Sequence, residues 1–529
     1  MDNKVVHGIS VTRDLINGMI DTVQKLYLAD SIPWVIGYSG GKDSTAALQL
    51  VWLAIENLPV EQRVKTVHII NTDTLVESPV VSKWAKDSLK HMEEHARERQ
   101  LPFKTHILKP AVDNTFWVNL IGRGYPFPRK RLRWCTDRLK IRPVNDFIKK
   151  KISEHGEIIL VLGIRKAESA NRARTMAYYE RKRVRELLSP NETLVNELVF
   201  SPLEEWTDDD VWVFLMQYKN PWGYSNQNLL TLYKGATADG ECPLMVEKDL
   251  PSCGKSRFGC WVCTMVARDK SMEAMIANDS EKEWMTPLLD FRNEFGDEEK
   301  DRERRSYRKM GGFLQGSYGK LNHGPYLKEI RERWLRRLLE IQLEISENGP
   351  AEFENYEIIS LAELRVIRRI WVYDKHEFED SLPRIYQEVT GKVFHDPEWL
   401  GTGMFGTDEW HILKDVCEEL YPDEELSFEL MYGLLDIENQ ALGLNKRNDI
   451  LKKLQGCIAS NFYQNEEDAL AYYMKKMTRK KNYGGKYDTK FLDNVALGDS
   501  DIDDREILND NDTKESETQG QLFSNEDDK

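Results

Sequence analysis

The folds open to this chain are limited most by one short stretch. Ser39, Gly40, Gly41, Lys42, Asp43 and Ser44 stand between residues 33–39 (PWVIGYS), which read as a buried strand, and residues 44–58, which read as a mostly apolar helix. Glycines at such a handover let backbone amides approach a phosphate, and the N-terminus of the following helix favours negative charge. The Ser39 and Ser44 hydroxyls add two more donors. This is not the Walker arrangement, because Ile36 stands where GxxxxGK[ST] would need glycine.

Residues 64–73, 103–108 and 157–163 are further β-rich runs, separated by charged helical stretches such as 81–98. Alternation of this kind predicts an α/β fold with a doubly wound parallel sheet. Asp73, at the end of the second such run, falls at the carboxyl edge where these sheets bind ligands, and it suits either a nucleotide with its magnesium or an ordinary turn. Thr207 is positioned to cap a helix with Asp208, Asp209 and Asp210 in its first turn, so residues 202–217 are expected to close the first domain. The expected organisation is a nucleotide domain over 1–235, a cysteine-rich segment over 236–300, an arginine-rich helical domain over 301–470, and a basic linker with an acidic tail over 471–529.

The Ser39–Ser44 stretch resembles the SGGxDS pyrophosphate loop of the adenine-nucleotide α-hydrolases, whose members cleave ATP between its α and β phosphates. Three later segments are similar to the phosphoadenylylsulfate reductase branch of that group. They are Arg133-Trp134-Cys135-Thr136 with Lys140 and Pro143, Gly163-Ile164-Arg165 with Glu168, Ser169 and Arg172, and Pro202-Leu203 with Trp206-Thr207 and Asp210-Val211-Trp212. Arg165 and Arg172 have the planar donors that pair with phosphate oxygens, and Glu168 is suited to hold one of them. The resemblance implies ATP and Mg2+ as ligands, with Ser39, Gly40, Gly41, Lys42, Asp43, Ser44, Asp73, Gly163 and Arg165 around the nucleotide. It implies that Asp43, Ser44 and Arg165 take part in catalysis.

Seven cysteines, an odd number, suit a reducing cytoplasm rather than a disulfide framework. Cys260-Trp261-Val262-Cys263 is a CxxC with Cys253 seven residues before it and Cys135 far upstream. Four thiolates close either a zinc site or a four-iron cluster, and a redox dithiol is a third reading of CxxC. Dispersed ligands beside Trp261 favour iron and sulfur. Related adenylylsulfate reductases ligate a 4Fe-4S cluster with the upstream cysteine segment and a later CxxC, which implies Cys135, Cys253, Cys260 and Cys263 here and leaves Cys242 as a spare thiol. Where those enzymes have adjacent cysteines, this chain has Cys135 followed by Thr136.

The net charge of -15 would ordinarily argue against nucleic acid, but residues 498–529 carry -9 of it, leaving -6 for the remainder. Arg129-Lys130-Arg131-Leu132-Arg133 sets four cations just ahead of Cys135. The cysteine pattern, the reductase-like half and the arginine-rich half together resemble the DndC family of DNA phosphorothioation sulfurtransferases. That resemblance implies ATP-dependent replacement of a non-bridging backbone oxygen by sulfur. Its implied partners are DNA, a cysteine desulfurase as sulfur donor and other phosphorothioation proteins, without a membrane. An adenylylsulfate or phosphoadenylylsulfate reductase, a tRNA thiolation enzyme and a zinc-containing nucleic-acid-binding module are the alternatives. The reductase is weakened by the lack of any cysteine after Cys457.

Overall fold

The computed structural model describes residues 11–482 except 131, 192–193, 238–257, 311, 318, 400–405, 423–424, 442–448, 461–462 and 464. Cys242, Cys253 and the acidic tail lie outside the described residues. The described chain forms two compact units, one from residues 11–116 and 128–292, the other from residues 117–127 and 293–482.

The first unit is built on a six-stranded sheet. Its strands are β1 (Trp34–Gly37), β2 (Val67–Thr72), β3 (Phe103–Leu108), β4 (Ile158–Val161), β5 (Ser189–Pro190) and β6 (Glu197–Phe200), in the order β3-β2-β1-β4-β6-β5. All neighbours are parallel except β5, a two-residue antiparallel edge on β6. Strands such as Ile158–Val161 are apolar throughout because both faces of a parallel sheet are covered. Trp34 and Ile36 point into one core with helices α1 (Arg13–Leu28) and α2 (Lys42–Glu56), while Val35 points into the other with Val144 and Ile148. Trp52 of α2 stacks on Phe103 with ring centroids 4.2 Å apart, tying helix to strand.

The chain winds from β1 through β2 to β3 on one side, then returns to place β4 on the other side of β1. A crevice therefore opens at the carboxyl ends of β1 and β4, the usual ligand position in such sheets. The expected α/β fold with a helical C-terminal region is the observed one. The helix Asp208–Gln217 is capped by Thr207, whose hydroxyl accepts from the Asp210 amide while the Asp210 carboxylate accepts from Thr207. It does not end the unit, however. The helix Asn226–Gly235 follows and buries Leu229, Leu230 and Tyr233 in the same core, and the unit continues to residue 292.

Glu197, in β6 and 1% exposed, is an acid kept in the interior. Burial pushes its carboxyl up to about 7, with an Asn191 hydrogen bond only partly offsetting this. An acid whose folded pKa lies above its unfolded value stabilises the fold fully below about 4.5 and loses that contribution as pH rises through about 7. Glu197→Gln is therefore expected to exceed the parent in stability by up to about 3 kcal/mol near pH 8 and to match it near pH 4. Urea unfolding at the two pH values checks this.

In the second unit, the helix Lys328–Asn348 buries Trp334, Leu335, Leu338, Leu339, Ile341 and Ile345. Residues 117–127 join this unit through the Trp117 indole, which donates to Ile358 O at 3.0 Å, and the Trp371 indole, which donates to Ile121 O at 3.0 Å. The unit's arginines are largely engaged within it. Arg331 pairs with Glu377, Arg336 with Glu388, Arg305 with Asp301 at 3.0 Å, and Arg368 with Asp380 and with Asp396 at 3.3 Å. The helix Glu466–Asn482 takes in part of the expected linker, and Tyr473 donates to Gly316 O at 2.7 Å. No helix among the described residues is long and apolar enough to cross a membrane.

Candidate active site

The Ser39–Ser44 loop joins the end of β1 to the start of α2. Gly40 has φ +78°, and a Cβ there would stand 3.0 Å from Ala85 Cβ, so only glycine is accommodated without a shift. The Trp84 indole donates to Gly40 O at 3.1 Å. Ser44 Oγ donates to Gly41 O at 3.0 Å, accepts from Ser39 N at 3.2 Å and lies 3.1 Å from Ser39 Oγ, which folds the loop back on itself. Gly41 has no side chain to cap α2, and although Tyr233 accepts from the first amide, Lys42 N, at 3.2 Å, the helix N-terminus keeps the polarity that suits an anion.

Lys42, Asp43, Arg165 and Asp208 form one ion-paired quartet. Lys42 Nζ lies 3.1 Å from Asp43 Oδ2 and 3.0 Å from Asp208 Oδ1. Arg165 donates from Nε to Asp43 Oδ1 at 2.7 Å, from Nη2 to Asp208 Oδ1 at 2.6 Å and from Nη1 to Trp206 O at 3.2 Å. Burial alone would push the Lys42 ammonium down, but Asp43 and then Tyr233 and Asp208 outweigh it and hold the ammonium above its usual value. Burial likewise opposes charge on Asp208, and Lys42 and Arg165 more than compensate, holding its carboxyl low. The quartet thus sets two basic groups against two carboxylates.

The quartet changes the expectation for Arg165. At 1% exposure and with three donors engaged, it is not a free phosphate clamp; it holds the Asp43 carboxylate in place. Glu168 accepts from the Arg165 backbone amide at 2.8 Å, and its other oxygen is 3.7 Å from Arg172 Nη2. Gly163 packs directly on the loop, since a Cβ there would meet Asp43 O at 2.5 Å. Asp73 is buried and engaged elsewhere, accepting from the Leu75 amide at 3.0 Å and lying 2.9 Å from Lys86 Nζ. Sequence reasoning read Asp208 only as a favourable helix-start carboxylate, and it passed over Tyr233, whose hydroxyl accepts from Lys42 N at 3.2 Å. No local pattern marks either as a loop partner.

The thiols gather beside the exit of β2. Thr74 Oγ1 is 3.4 Å from Cys260 Sγ, Trp261 N donates to Val76 O at 3.0 Å, and Glu77 bridges to Cys260. Burial pushes the Cys135 thiol up to about 12, with Cys260 and Cys263 close enough to raise it further. Lys140 faces the same group, and Cys260, more than any other neighbour, holds its ammonium above the usual lysine value. The CxxC loop carries cysteine spacing that suits a bound metal. Its described part also has a protein scaffold: Arg292 donates to Cys263 O at 2.7 Å and Ala267 O at 2.8 Å, Thr264 donates to Pro128 O at 2.7 Å, and Trp261 is buried.

Among the described residues no three His, Cys, Asp or Glu side chains already stand in metal-binding geometry. The donor chemistry nevertheless fits a soft thiolate-binding group. Cys135 and the Cys260–Cys263 pair come from two distant parts of the chain to one place, and burial raises the Cys135 and Cys260 thiols, so that binding a soft cation would be coupled to loss of their protons. Of the basic run, Arg129 and Leu132 pair across a tight turn, Arg133 Nε donates to Lys130 O at 3.2 Å, and Arg131 lies outside the described residues.

Residues 33–265 match the model of the phosphoadenosine phosphosulfate reductase domain. The chain is thus similar to that domain over somewhat less than half of its length. Two uncharacterised proteins of Methanocaldococcus jannaschii are similar to part of this chain. One is 26% identical over 203 residues, covering 38% of this chain and 35% of the relative. The other is 25% identical over 226 residues, covering 43% and 40%. The chain thus spans well under half the length of the curated relatives it matches. Among solved structures, similarity is found to the phosphoadenylyl-sulfate reductase of Candida auris in a phosphate complex, at 15% identity, TM-score 0.25, and coverage of 40% of this chain and 89% of that one. It is also found to the U34-tRNA thiolase NcsA of Methanococcus maripaludis with its [4Fe-4S] cluster, at 13% identity, TM-score 0.25, and coverage of 54% and 81%.

Proposed function

We propose that this chain is an ATP-dependent sulfurtransferase that cleaves ATP between the α and β phosphates and replaces a non-bridging oxygen of the DNA backbone with sulfur. The observation that carries the reading is the junction of β2 with the CxxC segment. The residues leaving the carboxyl end of β2, Thr74, Val76 and Glu77, are the ones that touch Cys260 and Trp261. A nucleotide loop and a thiol group therefore share one edge of one sheet. DNA as the acceptor rests on the resemblance of the cysteine pattern and on the basic run ahead of Cys135.

In this reading Lys42 and the α2 N-terminus receive the polyphosphate, and Asp43, oriented by Arg165, would hold the accompanying Mg2+, which would neutralise phosphate charge. A backbone phosphate oxygen forms a bond to the α phosphorus as pyrophosphate leaves, giving a mixed anhydride with AMP. A sulfur nucleophile at the sulfide level then forms the P–S bond as the bond to AMP breaks. AMP departs readily because cations neutralise its developing charge, whereas an unactivated phosphate oxygen would not. Cys135, Cys260 and Cys263, with Cys253, would hold a 4Fe-4S cluster, which supplies a soft surface for sulfide. A cysteine desulfurase is the proposed donor, with other phosphorothioation proteins acting alongside in the cytoplasm. It passes on sulfur as a persulfide, and a thiol reductant attacks that persulfide, releasing sulfide as the two thiol sulfurs become a disulfide.

The test uses full-length protein purified without oxygen. About four iron and four labile sulfide per chain are expected, with pyrophosphate release from ATP stimulated by duplex DNA and sulfur retained in the DNA. Stimulation by tRNA alone would move the acceptor to RNA. Zinc without iron and no pyrophosphate would sink the enzyme reading in favour of a binding module.

A further inference from the structure

One strand outward from the nucleotide loop, at the ends of β4 and β6, the first unit contains a half-open pocket that the proposed chemistry does not use. The centre of a water-sized sphere has about 30 Å3 to move in, within about 430 Å3 of non-atom space that includes open solvent. One side of it is apolar, with Ile164, Met176, Tyr179, Leu187 and Val199. Three polar groups converge on it. Arg183 is clamped by Glu204, whose two oxygens each accept from Nη2 at 2.8 Å, yet its Nε is buried without a hydrogen-bond partner. Ser189 and Ser201 line the same space, and neither hydroxyl makes a hydrogen bond among the described residues.

An apolar slot with a few unsatisfied, convergent polar groups is the usual form of a small-ligand site. Leaving a buried guanidinium donor unpaired is costly unless a ligand or water completes it. Leu187 also adopts φ +67°, a conformation leucine rarely takes, where it borders the space. The pocket is tied to the catalytic loop by the shortest possible connection: Ile164 lines it, and the next residue, Arg165, holds Asp43. Lys166 N donates to Glu204 O at 2.8 Å, so the pocket's polar wall is joined to the same turn.

We infer that this pocket receives one unstacked nucleobase of the acceptor nucleic acid. An aromatic and apolar wall suits the face of a flat heteroaromatic ring, and the Arg183 donor with two hydroxyls suits its polar edge, the pattern by which extruded bases are read. The base would register the adjoining backbone phosphate against the loop. This inference rests on the proposed nucleic-acid acceptor, but it makes its own separate claim about a ring-binding site.

The test titrates thymidine, deoxycytidine, deoxyguanosine and deoxyadenosine into the full chain by saturation-transfer NMR, with a non-hydrolysable ATP analogue kept saturating. Ser201→Trp fills the pocket; Ser201→Ala is the mild control, and thermal unfolding verifies that both fold. At least one nucleoside is expected to bind, with affinity falling tenfold or more in Ser201→Trp while ATP-analogue binding is unchanged. Binding of no nucleoside, equal binding in Ser201→Trp, or loss of ATP-analogue binding in that variant would each overturn the inference, the last by making the pocket part of the ATP site. Nucleoside binding without DNA-stimulated pyrophosphate release would instead leave the pocket standing and remove the sulfurtransferase reading. If Ser201→Trp does not fold, Ser189→Phe on the neighbouring strand β5 provides the same readout.

Discussion

Asp43→Ala is expected to lower pyrophosphate release from ATP by a factor of about 100 or more while leaving iron content at the parent level. Asp43 is the hub of the quartet: it accepts from Arg165 Nε at 2.7 Å and pairs with Lys42 at 3.1 Å. Its removal takes away the proposed cation-facing carboxylate and leaves Arg165, 1% exposed, with an unpaired Nε. Truncating one partner of a buried pair typically costs about 3–5 kcal/mol, but Asp208 remains to hold Arg165 Nη2 and Lys42, so the fold should persist at a lower melting temperature. Asp43→Asn separates charge from shape, because it keeps the hydrogen-bonding outline and loses the carboxylate. Pyrophosphate release within a factor of two of the parent in either variant would remove Asp43 from the mechanism.

Cys260→Ser is expected to lose nearly all cluster iron and labile sulfide, and with them sulfur transfer, while far-ultraviolet circular dichroism stays unchanged. The segment around Cys260 has a scaffold independent of any metal. Trp261 is buried and its amide donates to Val76 O, and Arg292 gathers the carbonyls of Cys263, Val266 and Ala267. A serine oxygen preserves volume but is a poor ligand for soft iron. ATP cleavage in the absence of acceptor should survive, because the quartet shares no side chain with the thiols. Full iron content in Cys260→Ser would show that Cys260 is not a ligand, and collapse of the fold would show that the protein scaffold alone does not suffice.

Much of the first unit is legible without coordinates. Residues 103–108 match β3 at both ends, and 44–58 differ from α2 by two residues at each, because apolar runs and a glycine turn carry their signal within a few neighbours. The Thr207 cap was readable for the same reason. Three features of the arrangement were not. Asp208 looks like any carboxylate in a first helical turn until the sheet order brings it to Arg165 and Lys42. Residues 117–127 lie between segments of the first unit yet pack with residues more than two hundred positions later. The arginine-rich stretch looks like a basic surface, and only pairing partners such as Glu377 and Glu388 show that its charge is largely met within its own unit.

Residue type and short-range spacing suffice to place the glycine loop between a strand and a helix, to mark the α/β alternation and to pick out the CxxC. Tertiary structure alone decided which charges neutralise one another, that Arg165 holds Asp43 rather than offering a free phosphate clamp, and that Cys135 and Cys260 meet beside the exit of β2. The physical reason is one of range. Backbone propensity and capping act across a few residues, whereas ion pairing and burial depend on which distant segments the order of the strands sets side by side.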